Sequence, residues 1–222
     1  MLDIGTHRGA TTAVALDLGS ATGGESPGFP SATFGFVQEI FVAVGHPFDL
    51  RVCLAGLQDV PEVRERSYLS GAVEVEPLEF NGELRPEGVD RAELTFTRPG
   101  RFSGLALGVR LWVAEGGEPI DSLCEWSNWA PVYAALSEEG LPVRPGDRFT
   151  FEFTTTISDD GVHPDYALTG GLHRDGGPAV PLRWSSTHHG KGFRETFFHR
   201  RLFPEARSAS PTTADTTATL AR

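Results

Sequence analysis

Alternation of apolar and polar residues is the strongest local pattern in this chain. Over residues 148–157, threonine and glutamate share one face of an extended chain, and the other face carries Phe149, Phe151, Phe153 and Ile157. A period of two residues is typical of a β-strand with one buried face. Residues 102–114 repeat this period, with apolar residues as far as Val113 on one face and small residues such as Gly108 on the other. Small residues in a strand indicate close approach of another sheet or of a ligand.

Weaker alternation predicts further short strands, over 11–18, 48–54, 72–80, 91–97, 130–136, 165–173, 179–184 and 193–198. Turns rich in glycine and proline separate many of these segments, as antiparallel sheets require. Helical spacing of apolar residues is limited to 32–44. The pattern therefore predicts an all-β fold, a single β-barrel or barrel-like sandwich of about ten short strands. A short helical or irregular insertion is expected near residues 19–46.

Composition excludes several classes of partner. Hydrophobic residues make up 39% of the 222 residues, enough for a core without disulfides or a metal. The net charge of −11 opposes nucleic-acid phosphates and anionic lipid surfaces. No apolar stretch has the length of a signal peptide or approaches the roughly 20 residues of a membrane span. We therefore expect a cytoplasmic protein with no nucleic-acid or membrane partner.

The end of the chain differs in composition from the rest. Residues 206–222 are rich in Ser, Thr and Ala, with Leu220 as the only large apolar residue, so this segment cannot offset its ordering entropy. We expect one domain over 1–205 and a disordered tail over 206–222. The two cysteines, Cys53 and Cys124, lie outside any CxxC spacing and are expected to be buried thiols in a reducing compartment.

Three patterns that often mark catalytic chemistry lack their structural context. The GxSxG spacing of 24–28 has Pro27 where a nucleophile elbow needs a backbone N–H donor. The glycine-rich stretch 3–9 is similar to the first motif of class I S-adenosylmethionine-dependent methyltransferases, but His7 takes the middle glycine position. The histidines lack HxH or HExxH spacing, the nearest group being His188, His189 and His199 with His163 and His173 upstream. We expect neither a cofactor loop nor a metal site.

Several segments in serial order carry a family resemblance. They are RAELTFTR at 91–98, GLALGVRLW at 104–112, WSNWAPVY at 126–133 and LPVRPGD at 141–147, with weaker matches at 9–16 and 47–51. In order and spacing they resemble the C-terminal β-barrel domain of protein arginine methyltransferases, and more closely that of their bacterial relatives. The resemblance covers about 8–203 and places 19–46 where the family inserts its dimerisation arm.

The resemblance also implies what the chain lacks. The family's S-adenosylmethionine-binding domain, with its pair of glutamates, has no counterpart in this sequence. The family's Thr-His-Trp loop at the active-site mouth matches Ser127, Asn128 and Trp129, and asparagine cannot act as an acid or base near neutral pH. We expect no catalytic residue and no cofactor, but a substrate- or partner-binding surface formed by Trp126, Ser127, Asn128, Trp129 and Tyr133. The alternative is that the tryptophans are core residues, as aromatics in a barrel more often are.

The expected function is that of a stand-alone methyltransferase-type barrel. It would bind substrate for, or assist, a separate S-adenosylmethionine-dependent arginine methyltransferase, or be the remnant of a longer enzyme, and its partner would be that subunit or a second copy. One alternative is an enzyme that holds a small apolar or cyclic substrate in a barrel cavity. Another is a plain interaction domain with an acidic face at 74–93 and a basic edge at 183–201.

Overall fold

The computed structural model describes residues 8–17, 61–83, 85–137, 139–159 and 161–186. In these ranges the chain forms one helix and eleven strands. The elements are β1 (Arg8–Leu16), α1 (Pro61–Ser67), β2 (Val73–Glu79), β3 (Gly88–Thr95), β4 (Gly100–Phe102), β5 (Gly104–Trp112), β6 (Ile120–Asp121), β7 (Val132–Ala135), β8 (Leu141–Val143), β9 (Arg148–Ile157), β10 (Pro164–His173) and β11 (Val180–Ser186).

The first sheet has β1 and β5 at its centre. Strand β1 pairs antiparallel with β2 on one side and with β5 on the other. The far edge of β5 is shared by two short strands, since β7 pairs with 104–107 and β6 pairs with Arg110 and Leu111. The connection between β6 and β7, residues 122–131, therefore leaves the sheet at this edge.

The second sheet is antiparallel, in the order β11-β10-β9-β3, and β4 pairs with β8 in a separate two-stranded sheet. Alternation in β9 puts its phenylalanines on the inner face. Phe149, Phe151 and Phe153 are each at most 3% exposed, and the Phe149 and Phe151 ring centroids lie 5.2 Å apart. Leu168 and Leu172 of β10 join the same buried cluster.

The main core lies between the two larger sheets. Strands β1 and β5 contribute Ala13, Ala15, Leu105 and Leu107, which pack in one cluster with the phenylalanines of β9. The described strands form three separate sheets rather than one closed ladder. The predicted all-β class is confirmed, with a sandwich or barrel-like arrangement of sheets.

Strand β1 and the first half of β5 are buried on both faces. Val14, Leu16 and Ala106 face away from the main core, yet each is at most 2% exposed. A Cβ added at Gly108 of β5 would lie 2.5 Å from Leu123 Cγ and 2.8 Å from Ser122 Oγ. The close approach predicted from the small residues of β5 is therefore made by the connection that follows β6.

A strained glutamate links the two large sheets. Glu76 has a φ of 50°, in the left-handed region, and lies beside a bulge in the pairing of β1 with β2. Its carboxylate accepts hydrogen bonds from Thr11 Oγ1 of β1 at 2.7 Å and from Thr155 Oγ1 of β9 at 2.9 Å. Bulges often redirect a side chain in this way. Here the redirected Glu76 carboxylate connects β1 and β9 through two hydrogen bonds.

Every predicted strand that lies in the described ranges is present, and the burial expected at two positions on these strands was wrong. Val113 and Ile157 were assigned to buried faces but are 55% and 37% exposed, because Val113 follows β5 and Ile157 ends β9. The short strands β4, β6 and β8 and the helix α1 were not predicted. The predicted strands over 48–54 and 193–198, the helix over 32–44, the insertion near 19–46 and the tail over 206–222 lie outside the described residues.

Candidate functional site

The connection between β6 and β7, residues 122–131, begins with a tightly held turn. Asp121 is 8% exposed, and its Oδ2 accepts hydrogen bonds from Arg110 Nε at 2.9 Å and Nη2 at 2.6 Å. Its Oδ1 accepts the Leu123 N–H at 3.0 Å, and its own N–H donates to Glu125 Oε1 at 2.9 Å. Ser122 and Leu123 are buried against β5, so the base of this connection is fixed to the sheet.

Beyond this base, residues 124–130 form a loop that we call the tryptophan loop. Its two indoles are exposed, Trp126 by 70% and Trp129 by 46%. The Ser127 hydroxyl accepts the Trp129 N–H at 3.2 Å and lies at the same distance from the Trp129 carbonyl. Asn128, at the tip between them, is exposed. Both tryptophans are therefore surface residues, and the alternative that they belong to the core is wrong.

Tyr133 does not share this surface. It lies on β7, is 5% exposed, and its hydroxyl donates to the Ser103 carbonyl at 3.0 Å. Burial raises the pKa of Tyr133 to about 12, against the opposing effect of a hydrogen bond with the Ser103 side chain. Of the five residues predicted to form a binding surface, the structure places Trp126, Ser127, Asn128 and Trp129 on one loop and Tyr133 beneath the sheet edge.

The tryptophan loop and the hairpin before it carry negative charge only. Residues 113–130 contain Glu115, Glu118, Asp121 and Glu125 and no lysine or arginine. Cations outside this segment also act on it, since the charge of Arg64 of α1 opposes the rise in the pKa of the Cys124 thiol. Arg110 bonds Asp121, while Arg8 pairs with Glu74 and places its guanidinium 4.7 Å from the ring centroid of Trp112.

Cys124 was expected to be buried, and this was wrong, because it lies at the start of the exposed loop. Partial burial and the negative charge of Asp121 raise the pKa of the Cys124 thiol. Burial also raises the pKa of Tyr68, whose hydroxyl donates to the Leu123 carbonyl at 3.0 Å. Both groups are therefore protonated near neutral pH and act here as structural groups of the loop base.

The other candidate chemistries find no support in the part of the chain that the structure describes. His173 Nε2 lies 2.9 Å from Thr150 Oγ1, and no group of three or more His, Cys, Asp or Glu in the described ranges is arranged to hold a metal. Gly9, from the glycine-rich stretch, lies within strand β1. The GxSxG segment and His188, His189 and His199 lie outside the described residues.

The sequence did not predict an open groove of about 620 Å³ on the outer face of the second sheet, lined by Arg91, Glu93, Thr150, Glu152, Thr169 and Gly171 among others. A Cβ at Gly171 would meet only Ala179 Cβ at 3.4 Å and His173, so packing does not demand glycine there. Arg91 Nε donates to Glu152 Oε1 at 2.7 Å across the floor. The sequence signal that could have indicated this groove is the pair of consecutive glycines, Gly170 and Gly171, in strand β10.

No family model matches the chain, and no curated protein matches it in sequence. Solved structures do match. Protein arginine methyltransferase 10 of Arabidopsis thaliana, in a uniquely open conformation, is 11% identical with a TM-score of 0.54, over 81% of this chain and 59% of that one. The PRMT1 enzyme–prozyme heterotetrameric complex of Trypanosoma brucei with AdoHcy is 11% identical with a TM-score of 0.55, over 83% and 59%.

The chain has a fold similar to protein arginine methyltransferase structures. At this identity the likeness concerns the fold alone, and the chain spans 59% of the length of each of these matches. The resemblance to this family that was inferred from the order of sequence segments thus agrees with the observed fold. The described part of the chain contains no helix long and apolar enough to cross a membrane.

Proposed function

We propose that this chain is a methyltransferase-type β-barrel module that acts in the cytoplasm and binds substrate for, or assists, a separate S-adenosylmethionine-dependent arginine methyltransferase. The observation that carries the proposal is the pair of exposed indoles, Trp126 and Trp129, on a loop whose base is fixed to the sheet. The sequence resemblance matches this loop to the active-site mouth of the family. The similarity in fold to arginine methyltransferase structures supports the same assignment.

The physical properties of the tryptophan loop fit a contact surface. Tryptophan is enriched among residues that dominate binding energy at interfaces, because its ring covers a large area and loses little conformational freedom. The loop base is held by Asp121 and Arg110, so less ordering entropy is lost on binding. The surrounding carboxylates favour a partner surface that carries positive charge.

The partner would be a separate chain that carries the cofactor-binding domain, or a second copy of this chain. The trypanosome match is a heterotetrameric complex of an enzyme and a prozyme, which supports an association of unlike subunits. In this proposal Asn128, where the family has histidine, supplies no proton transfer, since an amide does not titrate near neutral pH. The module is then not catalytic alone and needs no cofactor of its own.

Two measurements on the purified chain test whether it lacks cofactor binding and catalytic activity of its own. Calorimetry with S-adenosylmethionine should detect no binding. Radiolabelled methyl transfer to an arginine-containing peptide should be absent for the chain, and also for Asn128→His, which restores the family's residue. Micromolar affinity for S-adenosylmethionine, or methyl transfer by either protein without an added methyltransferase, would overturn the accessory role.

A further inference from the structure

The tryptophan loop exposes two aromatic side chains on a fixed base. Trp126 is 70% exposed and Trp129 is 46% exposed, while Ser122 at the base of the loop accepts the Val109 N–H of β5. Tryptophan is on average highly buried in folded proteins, so two exposed indoles on one loop indicate an interaction surface. The indoles therefore form an aromatic centre that a partner can cover.

Carboxylates lie close to this aromatic centre. Glu125 precedes Trp126 in sequence, and its N–H donates to the Asp121 carbonyl at 2.9 Å. Glu118 comes three residues before Asp121, so the two Cα atoms are at most about 11 Å apart. Both glutamates are exposed, and among the described residues only Oε1 of Glu125 has a hydrogen-bond partner, the Asp121 N–H. The remaining carboxylate oxygens are therefore open to N–H donors of a partner.

Two arginines act at the base of the loop. Arg110 bonds Asp121, and the charge of Arg64 opposes the rise in the pKa of the Cys124 thiol. The segment 113–130 itself holds four carboxylates and no lysine or arginine, and the whole chain carries a net charge of −11. A partner face with positive charge is therefore attracted to this segment, and an acidic face is repelled.

We propose that the tryptophan loop, together with Glu118, docks onto a face of the partner subunit where lysine or arginine side chains surround an apolar centre. The inference rests on the proposed role of the loop as a contact surface, and it adds the chemistry of the face that the loop recognises. The indoles bury apolar area and take cations against their ring faces. The glutamates accept N–H groups from those cations, which replaces the hydrogen bonds to water that the cations lose on binding.

The two kinds of side chain act on different steps of binding. Charges at the rim of an interface attract the partner before contact and set the rate of association, and salt screens that attraction. Aromatic contacts at the centre exist only in the bound state, so they set the rate of dissociation. Removal of the glutamate charges should therefore slow association, and removal of an indole should speed dissociation.

The test uses two short peptides of one sequence, in which lysines or neutral acetyllysines flank a central leucine. Their binding to the immobilised full chain is followed by surface plasmon resonance. The lysine peptide should bind at least about tenfold more tightly at low salt, and its advantage should shrink as salt is added. Lysine is used because it accepts no methyl group from an arginine methyltransferase, so binding reports docking rather than capture of a substrate.

Three variants of the full chain assign the binding to the loop. Glu118→Gln/Glu125→Gln should slow association of the lysine peptide by about threefold or more, and glutamine at 125 keeps a side-chain oxygen acceptor. Trp126→Ala should speed dissociation by about threefold or more. Glu93→Gln/Glu152→Gln removes the same charge from side chains that are each 43% exposed on the outer face of the second sheet, and it should leave both rates unchanged.

Equal affinity for the lysine and acetyllysine peptides would overturn the inference. Equal losses in the two glutamine double variants would also overturn it, because the attraction would then come from net charge alone. An unchanged dissociation rate in folded Trp126→Ala, checked by circular dichroism, would contradict the role of the indole. Failure here leaves the proposed methyltransferase role intact, because that role is measured by association with a cofactor-binding domain, which the peptide experiment does not contain.

Discussion

At the residue scale, aromatic side chains that lie close together in sequence differ in their exposure to solvent. Trp126 and Trp129 are exposed while Tyr133 is buried, although all three lie within eight residues of sequence. The difference arises because Tyr133 is on a strand that pairs with β5, and the tryptophans lie in the connection that leaves the sheet. Pairing with β5 therefore decides which of these aromatic residues is buried. The alternation within 126–133 does not reveal that pairing.

Tyr133 offers a pH test of its burial. Its pKa is raised to about 12 in the fold, while an unfolded chain releases the phenol proton near pH 10. The stabilisation from this group is complete below about pH 10 and is lost as the pH rises towards 12. Tyr133→Phe should therefore flatten the decline of unfolding free energy between about pH 10 and 12, measured by urea titration.

At pH 8 the Tyr133→Phe variant should be less stable by about 1 kcal/mol, the usual net value of one hydrogen bond. The Ser103 carbonyl keeps the N–H donors of Leu136 and Ser137, so no acceptor is left unsatisfied. Tyr68, whose pKa is also raised, is present in both proteins, and the difference between them isolates Tyr133. An identical alkaline slope for the two proteins would contradict the burial of this hydroxyl.

At the element scale, long alternating strands were predictable and short elements were not. The predicted strand over 148–157 coincides with β9, because the alternating Phe149, Phe151 and Phe153 fix its buried face without reference to a partner. Strands β6 and β8 have two and three residues, too few for a period to show, and they exist through their pairing with β5 and β4. Helix α1 carries residues typical of helix ends, Pro61 and Glu62 at its start and Arg66 at its end. With seven residues it is too short to show an apolar stripe, and it was not predicted for that reason.

The register of β9 can be tested with one truncation. Phe151 is 3% exposed and stacks with Phe149 in the main core, so Phe151→Ala should lower the unfolding free energy by roughly 3–5 kcal/mol. Thr156→Ala, at an exposed position of the same strand, is the matched control and should change it by less than about 0.5 kcal/mol. Chemical denaturation measures both, and a near-neutral Phe151→Ala would mean that the register is wrong.

At the scale of the whole molecule, alternation gave the all-β class, while the arrangement of sheets depended on contacts distant in sequence. Strand β9 pairs with β3, more than fifty residues earlier, and β1 pairs with β5, about a hundred residues later. No local pattern specifies such pairings. The double burial of β1 and β5 was visible only as runs of small apolar residues, which a closely approaching ligand would also have explained.

The central claim is that the tryptophan loop is the surface through which this module contacts a catalytic partner. The most direct measurement is the affinity between the full chain and a cofactor-binding domain of arginine methyltransferase type supplied as a separate chain. Trp129→Ala should weaken this association by about 2 kcal/mol or more, the level of an interface hot spot, with no change in melting temperature. Val113→Ala, with an exposed side chain outside the tryptophan loop, should bind as the unaltered chain does. Unchanged affinity in Trp129→Ala, or a loss of stability of roughly 3–5 kcal/mol that accounts for the weaker binding, would contradict the account.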